Sequence, residues 1–148
     1  MNRVSIVRDF VYTKYANIYN QNIRTVALTH TSAVVNNATL LSKKRNEDVE
    51  LAQIAAILHD YSQFYEGALP KMHAQKGSEF AKTYLNSLSI FTSEEIEKIV
   101  FCISVHSQKE SIHSSFDEVL KDADLLAKYL ENPEEELKDY EIKRLEQM

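Results

Sequence analysis

His59 and Asp60 leave an apolar wall side by side. The run Leu51-Ala52, then Ile54-Ala55-Ala56-Ile57-Leu58, leads straight into them, and residues 54–61, IAAILHDY, read as the end of a buried helix. Such a wall repels charge, so imidazole and carboxylate both need a partner there. A divalent metal ion suits both. A His-Asp dipeptide arises too readily by chance in a chain with five histidines to count alone, so the rest of the chain must supply its company.

Other metal-ligating residue types fall on inward-facing stripes. His30 lies three residues after Ala27 and four before Val34. His73 opens the stripe His73, Gly77, Phe80, Ala81, Tyr84, Leu85, Leu88. His106 extends Ile96, Ile99, Val100, Ile103 by three, and Asp124 sits four after Leu120. A lone histidine on such a stripe is more often a hydrogen-bonded core residue than a ligand. An aspartate there is rarer and needs a counter-charge. Five helices each aiming such a group inward is more than independent core histidines explain. His, Asp and water form a donor set for Mn, Fe, Co, Ni or Zn, and the lack of thiolates argues against a structural zinc knot.

The elements that position these groups read as helices. Residues 3–19 form an amphipathic packing helix through Val4, Val7, Phe10, Val11, Tyr15 and Ile18. A second helix runs over 22–43 with the stripe Ile23, Val26, Ala27, Val34, Ala38, Leu41. Asn46 caps a third over 47–60, the most buried of all. Segment 61–70, with Gly67 and Pro70, reads as a loop in which Tyr61, Phe64 and Tyr65 either pack or wall a pocket. A fourth helix covers 70–88, where Gly77 permits a close approach. Thr92 with Glu95, and Ser115 with Glu118, form capping boxes for a fifth and a sixth. Asn132 caps an acidic surface helix over 132–148, with Pro133 at its first position.

Chain-wide properties bound the answer. At 148 residues this is one domain able to bury a sizeable core. The net charge of −5, with no basic strip, argues against a nucleic-acid polymer as partner. No stretch approaches membrane-spanning length and no signal peptide is evident. A single cysteine, Cys102, fits a cytoplasmic protein and reads as an inert core thiol, while His113 reads as a solvated loop residue.

The pattern H…HD…D on successive helices resembles the HD superfamily of metal-dependent phosphohydrolases. The similarity spans roughly residues 22–130 and rests on VALTHTSAV, AAILHDY, MHAQKGSEFAKTYL, ISVHS and VLKDADLLAKYL. It implies an all-α, HD-domain-like bundle of six to seven helices with the metal site inside. It further implies that His30, His59, Asp60 and Asp124 bind one metal, with Asp60 as the bridging carboxylate. His73 and His106 match residues that hold a second ion or grip substrate phosphate, so Asp60, His73 and His106 become the expected catalytic groups. Asp122, a neighbour of the last ligand, reads as an ordinary exposed aspartate ahead of the alternative that it orients a ligand. Where many members have Gly-Lys after the HD pair, this chain has Ser62-Gln63, and after Ala-Asp it has Leu125-Leu126-Ala127 instead of a basic residue, Leu and Asp. Lys71, Lys76, Lys109 or Lys121 stand as substitutes for the missing lysine.

The expected activity is hydrolysis of a nucleotide or other small phosphate ester, using one or two divalent transition-metal ions. The alternatives are a metal- or nucleotide-binding sensor with reduced catalysis, a di-iron oxygenase on the same fold, and a helical interaction module. The first helix can cover either the core or a partner subunit, so a homodimer is compatible with the pattern.

Overall fold

The computed structural model describes residues 1–148. Eight helices and no strand make up the chain. They are α1 (Arg3–Ala16), α2 (Gln21–Lys44), α3 (Val49–Leu58), α4 (Tyr61–Phe64), α5 (His73–Leu88), α6 (Ser93–Val105), α7 (Ser115–Glu131) and α8 (Asp139–Glu146). The eighth, beyond the six to seven expected, is the single turn α4, which occupies the first residues of the segment read as a loop.

Helix starts are set by short polar side chains. Asn2 accepts from Ser5 N–H, Asn20 from Ile23 N–H, and Asp48 from Leu51 N–H. The expected Asn46 cap is thus replaced by Asp48, because Asn46 takes a left-handed turn at φ +55° and ends the preceding segment. The Thr92–Glu95 capping box forms as expected. The second box is one residue earlier than expected, Ser114 with Asp117, which leaves Glu118 free for other partners. Asn132 ends α7 and does not begin a helix. The last helix starts only after Lys138, whose N–H is met by Glu141.

Helix α3 is the centre of the bundle. Every residue from Ile54 to His59 is fully buried, and α1, α2, α6 and α7 pack around it. Fully burying each of Ile54, Ile57 and Leu58 contributes about 1.5–3 kcal/mol. The predicted stripes hold for α1, where Val7, Val11 and Tyr15 are inaccessible, and for α2 from Ala27 onward. Ile23 and Val26 depart from it and are exposed. The reason is length. His30 already faces Glu131, the last residue of α7, so the turns of α2 before His30 run past the end of their neighbour.

Gly77 of α5 lies against the end of α3. A Cβ there would sit 3.3 Å from the His59 carbonyl oxygen and 3.6 Å from Ile103 Cγ2. The close approach anticipated at this glycine is to backbone, and it lets α5 bring His73 over Asp60. Cys102 is buried, and burial pushes its thiol up, as an inert core residue requires.

Candidate metal centre

Five helix segments deliver the polar interior. His30 comes from the middle of α2, His59 and Asp60 from the end of α3, and His73 from the first turn of α5. His106 follows α6, and Asp124 comes from the middle of α7. All are buried except His73, whose side chain keeps 14% of its surface.

Two groups of ligand atoms result. In the first, His30 Nε2 lies 3.0 Å from Asp124 Oδ1 and 3.5 Å from Asp60 Oδ2. His59 Nε2 lies 3.1 Å from Asp60 Oδ2 and 3.6 Å from Asp124 Oδ1. In the second, His73 Nε2 and His106 Nε2 are each 3.4 Å from Asp60 Oδ1 and 3.2 Å from one another. Within each group the ligand atoms all lie inside 4.8 Å of one another. Asp60 therefore turns one oxygen to each group.

The far nitrogens fix the tautomers. His59 Nδ1 donates to Ala56 O at 2.6 Å, His73 Nδ1 to Pro70 O at 2.7 Å, and His106 Nδ1 to Ile103 O at 2.7 Å. His30 Nδ1 donates to Glu131 Oε1 at 2.9 Å. Carbonyl and carboxylate oxygens only accept, so each Nδ1 carries the proton. A neutral ring then aims its Nε2 lone pair into the cluster. Four lone pairs and two carboxylates converge there, and His59 Nε2 and Asp60 Oδ1 have no hydrogen-bond partner despite complete burial. Such orphaned groups are rare in folded proteins because leaving one unmet costs about 1–3 kcal/mol. The donors fit a divalent transition metal, and the Nδ1 bonds are those that commonly orient metal-ligating histidines.

Without an ion, protons take its place. Burial lowers the His30 and His59 imidazoliums. The hydrogen bonds of His30 to Asp124 and Asp60 outweigh this and bring it up to about 10. The charge of Asp60 and a bond to Asp124 bring His59 up to about 9. Asp60 is held well below the carboxylate range, burial being overcome chiefly by His59. Asp124 is likewise held down, chiefly by Lys109 and Lys128. His106, fully buried, is lowered by its desolvation.

Of the four candidate lysines, only Lys109 reaches the cluster. Its ammonium is buried and donates to Asp124 Oδ2 at 2.5 Å. Lys71 and Lys76 are exposed on the α5 side. Lys121 is fully buried but faces away, bonded to Ser111 O, His113 Nδ1 and Glu118. That contact also corrects the reading of His113, which is half-buried and accepts from Lys121. Two groups at the cluster carried no signal of their own. Lys128 stands 3.4 Å from Asp124 Oδ2, one turn along α7, and Glu131 orients His30. Both lie on the exposed edge of α7. The spacing Asp124–Lys128, i to i+4, was the only available hint for the first.

Asp122 is corrected as well. It is buried and paired with Arg45 at 2.8 Å and Arg144 at 2.9 Å. Of the aromatic residues after the HD pair, Tyr61 is core, stacked on Phe80 with ring centroids 4.1 Å apart. Phe64 meets His30 edge-on at 6.2 Å, and Tyr65 is exposed.

The model of the HD domain matches residues 27–136, and the chain belongs to the HD-domain family. Ribonuclease Y 1 of Pediococcus pentosaceus is 35% identical over 80 residues, 54% of this chain and 15% of that protein. Ribonuclease Y of Oceanobacillus iheyensis is 29% identical over 135 residues, 91% of this chain and 24% of that one. The chain thus spans a quarter or less of the length of these relatives. The fold is that of a predicted HD superfamily hydrolase from an uncultured Thermotogales bacterium. That crystal structure matches with a TM-score of 0.70 at 23% identity, over 97% of this chain and 83% of the other. No helix is long and apolar enough to cross a membrane.

Proposed function

We propose that the chain hydrolyses a nucleotide or another small phosphate ester, with His30, His59, Asp60 and Asp124 holding one divalent transition-metal ion. Asp60, His73 and His106 are the groups that hold a second ion or contact the substrate. The observation that carries this reading is the convergence of four Nε2 lone pairs on two buried carboxylates, with His59 Nε2 and Asp60 Oδ1 left without partners. When bound, a divalent ion supplies Lewis acidity toward water and toward a phosphoryl oxygen.

The protein's own residues do the rest. The Nδ1 bonds lock each imidazole so that only Nε2 faces the reaction. Lys109, buried at the cluster, and Lys128, on its exposed edge, hold Asp124 Oδ2 and offset charge on the phosphoryl oxygens. Lys109 takes the place of the lysine missing after the HD pair. His73, the least buried of the donors, lies on the side from which substrate enters. Water adds to phosphorus, the ester P–O bond breaks, and the departing alkoxide receives a proton.

The test is elemental analysis of protein purified without chelator or metal-affinity resin. Turnover of nucleotides and phosphomonoesters is then measured with added Mn, Fe, Co, Ni or Zn. Bound metal with phosphate release is expected. No metal bound, and none taken up, overturns the reading. Metal without turnover on any ester points to a sensor, and iron with dioxygen consumption points to an oxygenase.

One finding favours a second reading. Several matched relatives are named ribonuclease Y, which suggests a phosphodiester in RNA as substrate. The net charge of −5 favours the small ester instead. Cleavage of an RNA oligonucleotide in the same panel, with affinity falling steeply as salt rises, would decide for RNA.

A further inference from the structure

Lys109 lies in the segment 106–114, which has neither helix nor strand. Its own backbone donates in three turns, His106 N–H to Ile103 O, Gln108 N–H to Val105 O and Ser111 N–H to Gln108 O, and none of these bonds involves Lys109. Such a segment does not by itself hold a lysine in one place. The Lys109 carbonyl is met by a side chain from the far end of the chain, and the Ser111 carbonyl by that same side chain and by Lys121 Nζ at 2.9 Å. Arg144 of α8 donates through Nε to Lys109 O at 2.7 Å and through Nη2 to Ser111 O at 2.8 Å. The same guanidinium reaches Asp122 Oδ1 and Glu118 Oε1, both at 2.9 Å. Only 10% of its side chain is exposed, although no residue of α8 is fully buried. A planar fork with donors on three nitrogens can serve four acceptors at once, and an ammonium cannot.

We infer that Arg144 is a positioning residue for the reaction proposed above: it fixes the backbone of residues 109–111 so that the Lys109 ammonium stands at Asp124. The inference rests on that reading only for the consequence in turnover. Asp124 turns Oδ1 toward His30 and His59 and Oδ2 toward Lys109, so Lys109 keeps its place while the other oxygen serves as a ligand. A cleft of about 530 Å³ between α7, α8 and this segment has Lys109 and Arg144 on its wall. Release of the segment therefore opens Lys109 toward solvent.

The test labels the folded protein briefly with an amine-acylating reagent and maps Lys109 by peptide mass. R144A, R144K and R45A are compared with the parent. R45A removes the other cation on Asp122 without touching the segment. The parent and R45A should protect Lys109. R144A should label it several-fold faster, and R144K only partly restores protection. Protection retained in R144A, or lost equally in R45A, overturns the inference. Turnover separates the two levels. If Arg144 acts through Lys109, then R144A and Lys109→Gln each lower kcat by about 10- to 100-fold. The double variant is then no worse than Lys109→Gln alone. Labelling in R144A with kcat unchanged upholds the positioning and removes Lys109 from the proposed chemistry.

Discussion

Asp122 and Asp124 are two residues apart on α7, about 200° around the helix, and so belong to two different buried clusters. Around Asp122 each charge has an opposite: Arg45 and Arg144 on the carboxylate, Lys121 and Arg144 on Glu118. Around Asp124 and Asp60 the donors outnumber the protons available, and two buried atoms have no partner. A saturated polar cluster ties elements together. An unsaturated one is arranged for something that the chain does not itself supply. The same helix carries both, and burial alone does not tell them apart.

The largest effect that separates them is expected from Asp60→Ala. It removes the one residue common to both ligand groups. Metal content should fall, and turnover should drop by about a thousandfold or more, the equivalent of several kcal/mol of Lewis-acid assistance. Full metal content with full turnover would show that the unpaired cluster is only core. Chelation comes next. An ion present at about a thousand times its Kd adds about 4 kcal/mol to stability, so the melting temperature should fall on treatment with chelator and recover on re-addition. An unchanged melt would erase the distinction between the clusters.

Asp122→Ala attacks the saturated cluster and should do the reverse. Leaving Arg45 without its carboxylate, and Arg144 with Glu118 as its remaining one, costs about 1–3 kcal/mol, read by urea unfolding, while metal content stays at its original level. Loss of metal in this variant would merge the two clusters into one.

The smallest effect is in pH. His30 in the ion-free protein titrates at about 10, against 6.5 for an ordinary histidine. Below 6.5 the ring is protonated in folded and unfolded chains alike, and its pairs with Asp124 and Asp60 contribute fully. As pH rises toward 10 the unfolded chain gives up its proton first, so that contribution is progressively lost. The chelator-treated protein should therefore melt at a progressively lower temperature over this window. The metal-loaded protein should not, since an ion at Nε2 requires the unprotonated ring. Parallel curves for the two forms would count against an ion at His30.

The sequence makes the two clusters unequally legible. His30, His106 and Asp124 are visible because helical periodicity places each on an apolar stripe, where a polar residue stands out. His59-Asp60 is visible because the apolar run ends on it. Arg45, Asp122 and Arg144 have no such signature. Each is an ordinary polar residue on a polar face, and their partners lie 22 to 77 positions away. Asp122 is covered by Arg45 at the end of α2 and by Arg144 of α8, and neither contact is written in its local sequence. Glu131 is hidden for the same reason, 101 residues from His30. Errors at helix ends have a local cause. Asn46 and Ser115 are plausible caps, but Asp48 and Ser114, two and one positions away, take the role, and Asn132 ends α7 with the next helix starting after Lys138. The family pattern, in turn, could not rank the lysines, because Lys109 lies in irregular chain and is brought to the cluster by tertiary contacts.

His59, His73 and His106 share one further property. Each ring is held by a carbonyl only three residues earlier: Ala56, Pro70 and Ile103. Three of the four imidazoles are thus aimed by their own turn of chain before any helix has met another. Little rotamer freedom remains to be lost when α3, α5 and α6 come together, and the rings need not be sorted after docking. His30 is the exception, since its orienting partner arrives only when the end of α7 closes against α2. Three rings are thus aimed by local chain and one by a contact 101 residues away, so a change at Glu131 disturbs the aim of His30 alone.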